Sequence, residues 1–143
     1  MIGLDANILV RYLAQADAVQ SHKATQIIER SLTEEEPGFI SLVTMVETVW
    51  VLDRIYGLPA QKTAAAIERV LQADTLVIQN EQEVFTAMMM LRVGRGSFSD
   101  ALIGALGALA GCASTLTFDR KAARLALLPA REVAGILVST GPW

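Results

Sequence analysis

Apolar and polar positions along this chain repeat with two different periods, and the switches between them mark out the elements. A short apolar run, Ile2 to Leu4, reads as a buried strand that delivers Asp5 to the edge of a sheet, with a helix beginning just beyond. Asn7 to Ala14 and Ala18 to Leu32 carry apolar residues at helical spacing and end at the polar break "TEEEPG". The "FIS" that follows is a short extended piece. Thr44 to Tyr56 is predicted helical and stops at Gly57-Leu58-Pro59; Ala60 to Leu71 is helical after that proline. "TLVIQ" predicts a strand, and "NEQEVFTAMMMLRVG" a helix of good helix formers closed by Gly94 or Gly96. Ala101 to Ala110 forms a helix closed by Gly111, "STLTF" a strand, Asp119 to Leu127 a short helix before Pro129, and "REVAGILV" leaves room for one more strand. Strand and helix alternate throughout, so the expected class is α/β, a central parallel sheet wrapped by helices, as a single domain over residues 1–143.

Composition changes that picture in one place. The chain is 52% hydrophobic and 19% charged, with a mean hydropathy of +0.41, rich enough to raise the question of a membrane segment. Ala101 to Phe118 is uncharged and contains Gly107-x-x-x-Gly111. Yet Asp100 and Asp119 bracket it, it barely reaches spanning length, and its second half has strand character, so a buried helix followed by a buried strand explains it better. The first residues lack a basic region and place Asp5 where a signal peptide needs hydrophobicity, so a cytoplasmic location is expected. Cys112, the single cysteine, excludes an internal disulfide and is expected to pack as a small core residue. His22, the only histidine, lies on a polar helical stretch and reads as a surface residue, which removes histidine-based mechanisms and structural zinc. The Met88 to Met90 run reads as core.

The net charge of −3 argues against a protein that coats nucleic acid, although cations gather locally: Arg92 and Arg95 in "RVGRGSFSD", and Arg120, Lys121 and Arg124 in "DRKAAR". Such clusters suit a solvated face as well as a phosphate contact.

Most acids lie on polar stretches and need no explanation beyond solubility. Asp5, Glu47, Asp100 and Asp119 are different, each set at or beside the junction of an apolar segment and a helix start. Each also has a structural reading. Asp5 and Asp119 suit N-caps, Asp100 suits a first turn that favours the helix dipole, and "TMVE" suits a capping box with Thr44 as N-cap and Glu47 three residues on. Together these readings weaken, because in an open parallel sheet the helix starts that follow strands lie at one edge. Asp5 and Asp119 are then expected as neighbours, with Asp100 and Glu47 reaching the same crevice. Four clustered carboxylates repel one another unless a cation neutralises them, and oxygen-only ligands point to Mg²⁺ or Mn²⁺. A hard cation that retains bound water suits phosphodiester hydrolysis without a protein nucleophile.

"IGLDANILVRYL", "SLVTMVETVWVLDRIYGL" and "SFSDALIGALGALAGCASTLTFDRKAARL" resemble the successive motifs of the PIN-domain ribonucleases, and within them the VapC-type toxins of bacterial toxin–antitoxin pairs. The resemblance runs from Ile2 to about Leu127. It implies a PIN-like fold and a Mg²⁺- or Mn²⁺-dependent endoribonuclease that cleaves RNA with a metal-activated water. By position, Asp5, Glu47, Asp100 and Asp119 match the acidic quartet. The resemblance makes Asp5 and Asp100 metal ligands, Asp119 a ligand directly or through water, and Glu47 the group that orients the attacking water or a second ion. Thr117 matches a hydroxyl position that reaches the acids, and Asn7 the polar residue after the first acid; a strand threonine and ordinary helix-start chemistry are their plainer readings. Ala6 stands where the family usually has Thr or Ser. The resemblance further implies a cognate antitoxin and a homodimer, and the apolar surplus at Ile8, Leu9, Tyr12, Leu13, Val49, Trp50 and Leu52 offers surface for both.

Two rival readings remain open. One is a haloacid-dehalogenase-like phosphatase with Asp5 as covalent nucleophile, weakened because the second Asp of that motif is absent. The other is a PIN-like module that binds RNA or protein without cutting, for which Ala6 is the support.

Overall fold

The first element is a strand of two residues, β1 (Ile2–Gly3), which pairs in parallel with β2 (Gly38–Ile40), itself paired in parallel with β3 (Leu76–Ile78). The computed structural model describes residues 1–123 in full and strand backbone at 131–133 and 136–140. By contacts the chain packs as two compact units, Met1–Glu81 and Gln82–Trp143.

In the first unit, the sheet order is β1-β2-β3, with β2 central. Two helical crossovers make the parallel pairing possible, since parallel neighbours need a connection of a dozen or more residues. Between β1 and β2 lie α1 (Ala6–Ala14) and α2 (Ala18–Gln26); between β2 and β3 lie α3 (Leu42–Arg54) and α4 (Ala60–Gln72). α1 ends where Gln15 turns left-handed at φ 54°, its N–H donating to the Arg11 carbonyl. Asp17 restarts the chain as N-cap of α2, its carboxylate accepting the Gln20 N–H at 2.9 Å.

The helix expected to run unbroken to Leu32 changes at Gln26 into a π-helical turn, Ile27–Ser31. The Leu32 N–H reaches back five residues to the Ile27 carbonyl, while the Ile28 carbonyl takes its hydrogen bond from the Thr75 hydroxyl at 3.0 Å. An acceptor satisfied from outside the helix removes the need for the regular ladder there. Tyr12 ties α1 to the same turn, donating to Glu29 at 3.0 Å beneath the Arg69 guanidinium; burial first, and Glu29 second, hold its phenol above its ordinary pKa.

Side chains from all these layers meet in a core that includes Leu9, Ile28, Ile40, Met45, Leu52 and Ile67, each at most 1% exposed. Gly38 sits among them because a Cβ there would approach methyls of Leu32, Leu4 and Leu76 at 2.8, 2.9 and 3.1 Å.

In the second unit, α5 (Glu81–Arg92) and α6 (Phe98–Leu109) precede β4 (Ser114–Thr117) and the short α7 (Arg120–Ala123). α6 begins three residues earlier than the spacing predicts, because Ser97 caps it by accepting the Asp100 N–H at 3.1 Å and Phe98 is buried. Gly111, at φ 95°, follows its end as expected. Residues 124–127 of the predicted last helix lie outside the described residues.

The expected parallel sheet is present as β1-β2-β3, and β4 belongs to a second sheet. It pairs antiparallel with β6 (Ile136–Thr140), which pairs antiparallel with β5 (Arg131–Val133). Two positions separate β5 from β6, too few for a parallel crossover, so these two strands pair antiparallel. Three further expectations resolve residue by residue. Cys112 is exposed, beyond the end of α6, not packed in the core. His22 is at the surface, as its polar stretch predicts. Of the three consecutive methionines only Met88 is fully buried, since consecutive helical residues point in different directions and Met89 falls on the outer side. Among the described residues, no helix is long and apolar enough to cross a membrane.

Candidate active site

Parallel pairing fixes where the first two acids go. Asp5 follows β1 and occupies the N-cap position of α1, with φ −82° and ψ 157°, and its carbonyl accepts the Ile8 N–H at 3.1 Å. Its side chain makes no capping bond. The carboxylate is exposed and has no hydrogen-bond or ion-pair partner among the described residues. Ala6, next to it, is 4% exposed, so its methyl is part of the core.

Glu47 is likewise not a cap, which corrects the capping-box reading. α3 starts earlier than Thr44: Ser41 is its N-cap, and Ser41 Oγ accepts the Thr44 N–H at 3.1 Å. The Ser41 hydroxyl donates to Thr44 Oγ1 at 3.2 Å, and the Thr44 hydroxyl passes on to the Leu4 carbonyl at 3.3 Å. This relay ties the first turn of α3 to the residue preceding Asp5. Glu47 comes three positions after Thr44, the spacing that keeps two residues on one helix face, and its exposed carboxylate has no partner among the described residues. The relay is completed from β3: Gln79 Oε1 accepts the Leu42 N–H at 2.9 Å, and the Gln79 N–H donates to the Ile40 carbonyl at 2.9 Å. Three strand ends are thus bonded into one carboxyl edge, the position where open parallel sheets bind ligands.

Ser41 and Gln79 escape the reading of the sequence. Ser41 was visible in "ISLVT" as a hydroxyl three residues before Thr44, the N-cap spacing. Nothing in the sequence around Gln79 signals its bond to a helix 37 residues away.

The second unit carries the other two acids. Asp100, in the first turn of α6, has its N–H bonded to Ser97 while its half-buried carboxylate has no partner among the described residues. Asp119 is more committed. Asp119 Oδ1 accepts the Lys121 N–H at 2.8 Å, as the capping reading predicts, and the Asp119 N–H donates to Thr117 Oγ1 at 2.9 Å. Thr117 therefore bonds the backbone of this acid, shaping the turn out of β4. Asn7 is exposed on α1 and lines a cleft between α1 and α2.

Each unit holds two of the four acids. β1 and β4 belong to different sheets, so no common sheet edge joins Asp5 to Asp119. Among the described residues, no three His, Cys, Asp or Glu side chains are gathered into a metal-holding group. Each of the four acids offers carboxylate oxygens, the donor type that hard cations take, and three of the four have no other partner among the described residues.

The family profile described as PIN domain matches residues 2–128. The chain belongs to the PIN-domain family. PIN domains are in general metal-dependent nucleases that act on RNA, which places this member coarsely among the nuclease-type hydrolases. No curated protein and no solved structure gives a significant match.

Proposed function

We propose that this PIN-domain protein is a Mg²⁺- or Mn²⁺-dependent endoribonuclease of the VapC type, the toxin of a toxin–antitoxin pair. The observation that supports it best is the absence of capping: Asp5 stands at the N-cap position of α1 and Glu47 on the second turn of α3, and neither carboxylate has a hydrogen-bond partner among the described residues. Exposed acids released from structural duty at the carboxyl edge of a parallel sheet are free to serve chemistry.

In this reading Asp5 and Asp100 would hold the cation, Asp119 would support them, and Glu47 would orient a water for attack. A divalent ion, when bound, lowers the pKa of water and offsets charge on the transferring phosphoryl group. The Ser41–Thr44 relay holds the first turn of α3, one turn before Glu47, against the end of β1. Thr117, through the Asp119 N–H, sets the turn that presents Asp119. Asn7 stands ready to hydrogen-bond the strand beside Asp5.

Ala6, the support for a non-catalytic scaffold, is occupied with packing. The toxin assignment extends to a cytoplasmic protein that forms a homodimer and binds an antitoxin. Exposed Val43, Trp50 and Ile55 on and after α3 supply apolar surface for such contacts, whereas Leu9, Val49 and Leu52 are spent in the core. Purified protein is expected to cleave RNA in Mg²⁺ or Mn²⁺ and to stop in EDTA; cleavage that survives complete chelation refutes the metal mechanism.

A further inference from the structure

Between α1 and α2 the first unit opens a cleft of about 440 Å³, and every charged side chain that lines it is a cation. Arg11 and Lys23 face it from opposite helices, Asn7 and Gln20 add amides, and Ile8 and Ile27 supply apolar wall. The chain as a whole carries a net charge of −3, so a cleft lined by cations alone runs against the composition. Neither cation has a carboxylate partner among the described residues. Lys23 is exposed, and Arg11 NH1 donates to the Tyr56 hydroxyl at 3.1 Å, a neutral anchor that holds the guanidinium in place without cancelling its charge. Asn7 lies two residues after Asp5 and Arg11 one turn further on, so the cleft begins beside the candidate site and runs along α1 away from it.

We infer that this cleft binds one nucleotide of the RNA strand flanking the scissile phosphate. Arg11 and Lys23 hold its backbone phosphate, Asn7 and Gln20 hydrogen-bond phosphate or sugar oxygens, and the ribose or base lies against Ile8 and Ile27. The volume falls in the range of small-ligand sites, about 300–1,000 Å³, and two uncompensated cations lining one cleft suit a phosphodiester better than a neutral or cationic guest. Fixing the strand here makes Arg11 and Lys23 positioning residues: they lower the entropy of bringing a neighbouring phosphate to the acids. The inference rests on the endoribonuclease reading.

The test is equilibrium binding of a short fluorescent single-stranded RNA in EDTA across a salt series, beside steady-state cleavage in Mn²⁺, for the wild type, Lys23→Glu, Arg11→Gln and Tyr56→Phe. Lys23→Glu and Arg11→Gln are each expected to weaken RNA binding about tenfold, as loss of a charge-assisted hydrogen bond does, and to shallow the salt slope by about 0.7 per lost contact. In cleavage, KM is expected to rise more than kcat falls. Tyr56→Phe, which keeps the cation but frees it, is expected to fall between. Unfolding temperatures check the fold, and Lys23, being exposed, gives a variant whose folding is not in question. Wild-type cleavage with unchanged binding, slope and KM in Lys23→Glu and Arg11→Gln overturns the cleft and leaves the nuclease standing. Variants that keep RNA affinity but lose a co-expressed protein partner assign the cleft to that partner and overturn the inference. A wild type that neither binds nor cuts RNA removes both readings.

Discussion

At the start of α3 one hydroxyl, Ser41 Oγ, accepts the Thr44 N–H, and Glu47 is thereby released from any capping role. The two residues are separable by experiment. Ser41→Ala is expected to lower unfolding stability by about 1 kcal/mol, the usual worth of an N-cap side chain. Glu47→Gln is expected to leave stability within about 0.5 kcal/mol, as an exposed substitution does, while reducing RNA cleavage. Chemical denaturation of both variants, beside the cleavage assay, checks the pair; a Glu47→Gln that loses stability and keeps activity returns Glu47 to the helix. Position was legible at this scale and role was not. All four acids were visible as acids at helix starts, but whether each carboxylate caps is decided by where the helix begins, and that shifted by two residues at α3 and by three at α6. Asp119 shows the other outcome, since its carboxylate does accept a backbone N–H.

Elements whose apolar face has a clear period appear where the pattern put them. α1, α4, α5 and β3 differ from expectation by a residue or two at their ends, because burial of a single face specifies them locally. What the pattern could not carry is long-range pairing. The π-helical turn depends on Thr75, 47 residues from Ile28, and the direction of β4 depends on tail strands that read only as one more apolar stretch. Elements also keep imperfections that a period does not reveal. Thr63, on the buried face of α4, is 2% exposed and its hydroxyl has no partner among the described residues. Thr63→Val keeps the shape and removes the unsatisfied group, so unfolding stability is expected to rise by about 1 kcal/mol. A denaturation midpoint lower than wild type shows instead that the hydroxyl is satisfied in solution.

For the molecule as a whole, family membership and the chemistry of the acids point the same way: a PIN domain, no histidine-based alternative, and three carboxylates without a partner among the described residues. Local signals identified the candidate ligands, but spacing along the chain does not carry whether acids so far apart in sequence meet. The central proposal is that Asp5 and Asp100 would hold the catalytic cation. Rates of RNA cleavage in Mn²⁺ by Asp5→Asn and Asp100→Asn, at matched unfolding temperature, test it most directly. Since removing even an outer-shell partner of a metal costs about 10–100-fold, each variant is expected to lose about 100-fold or more with the fold intact. Wild-type rates in both variants contradict the account.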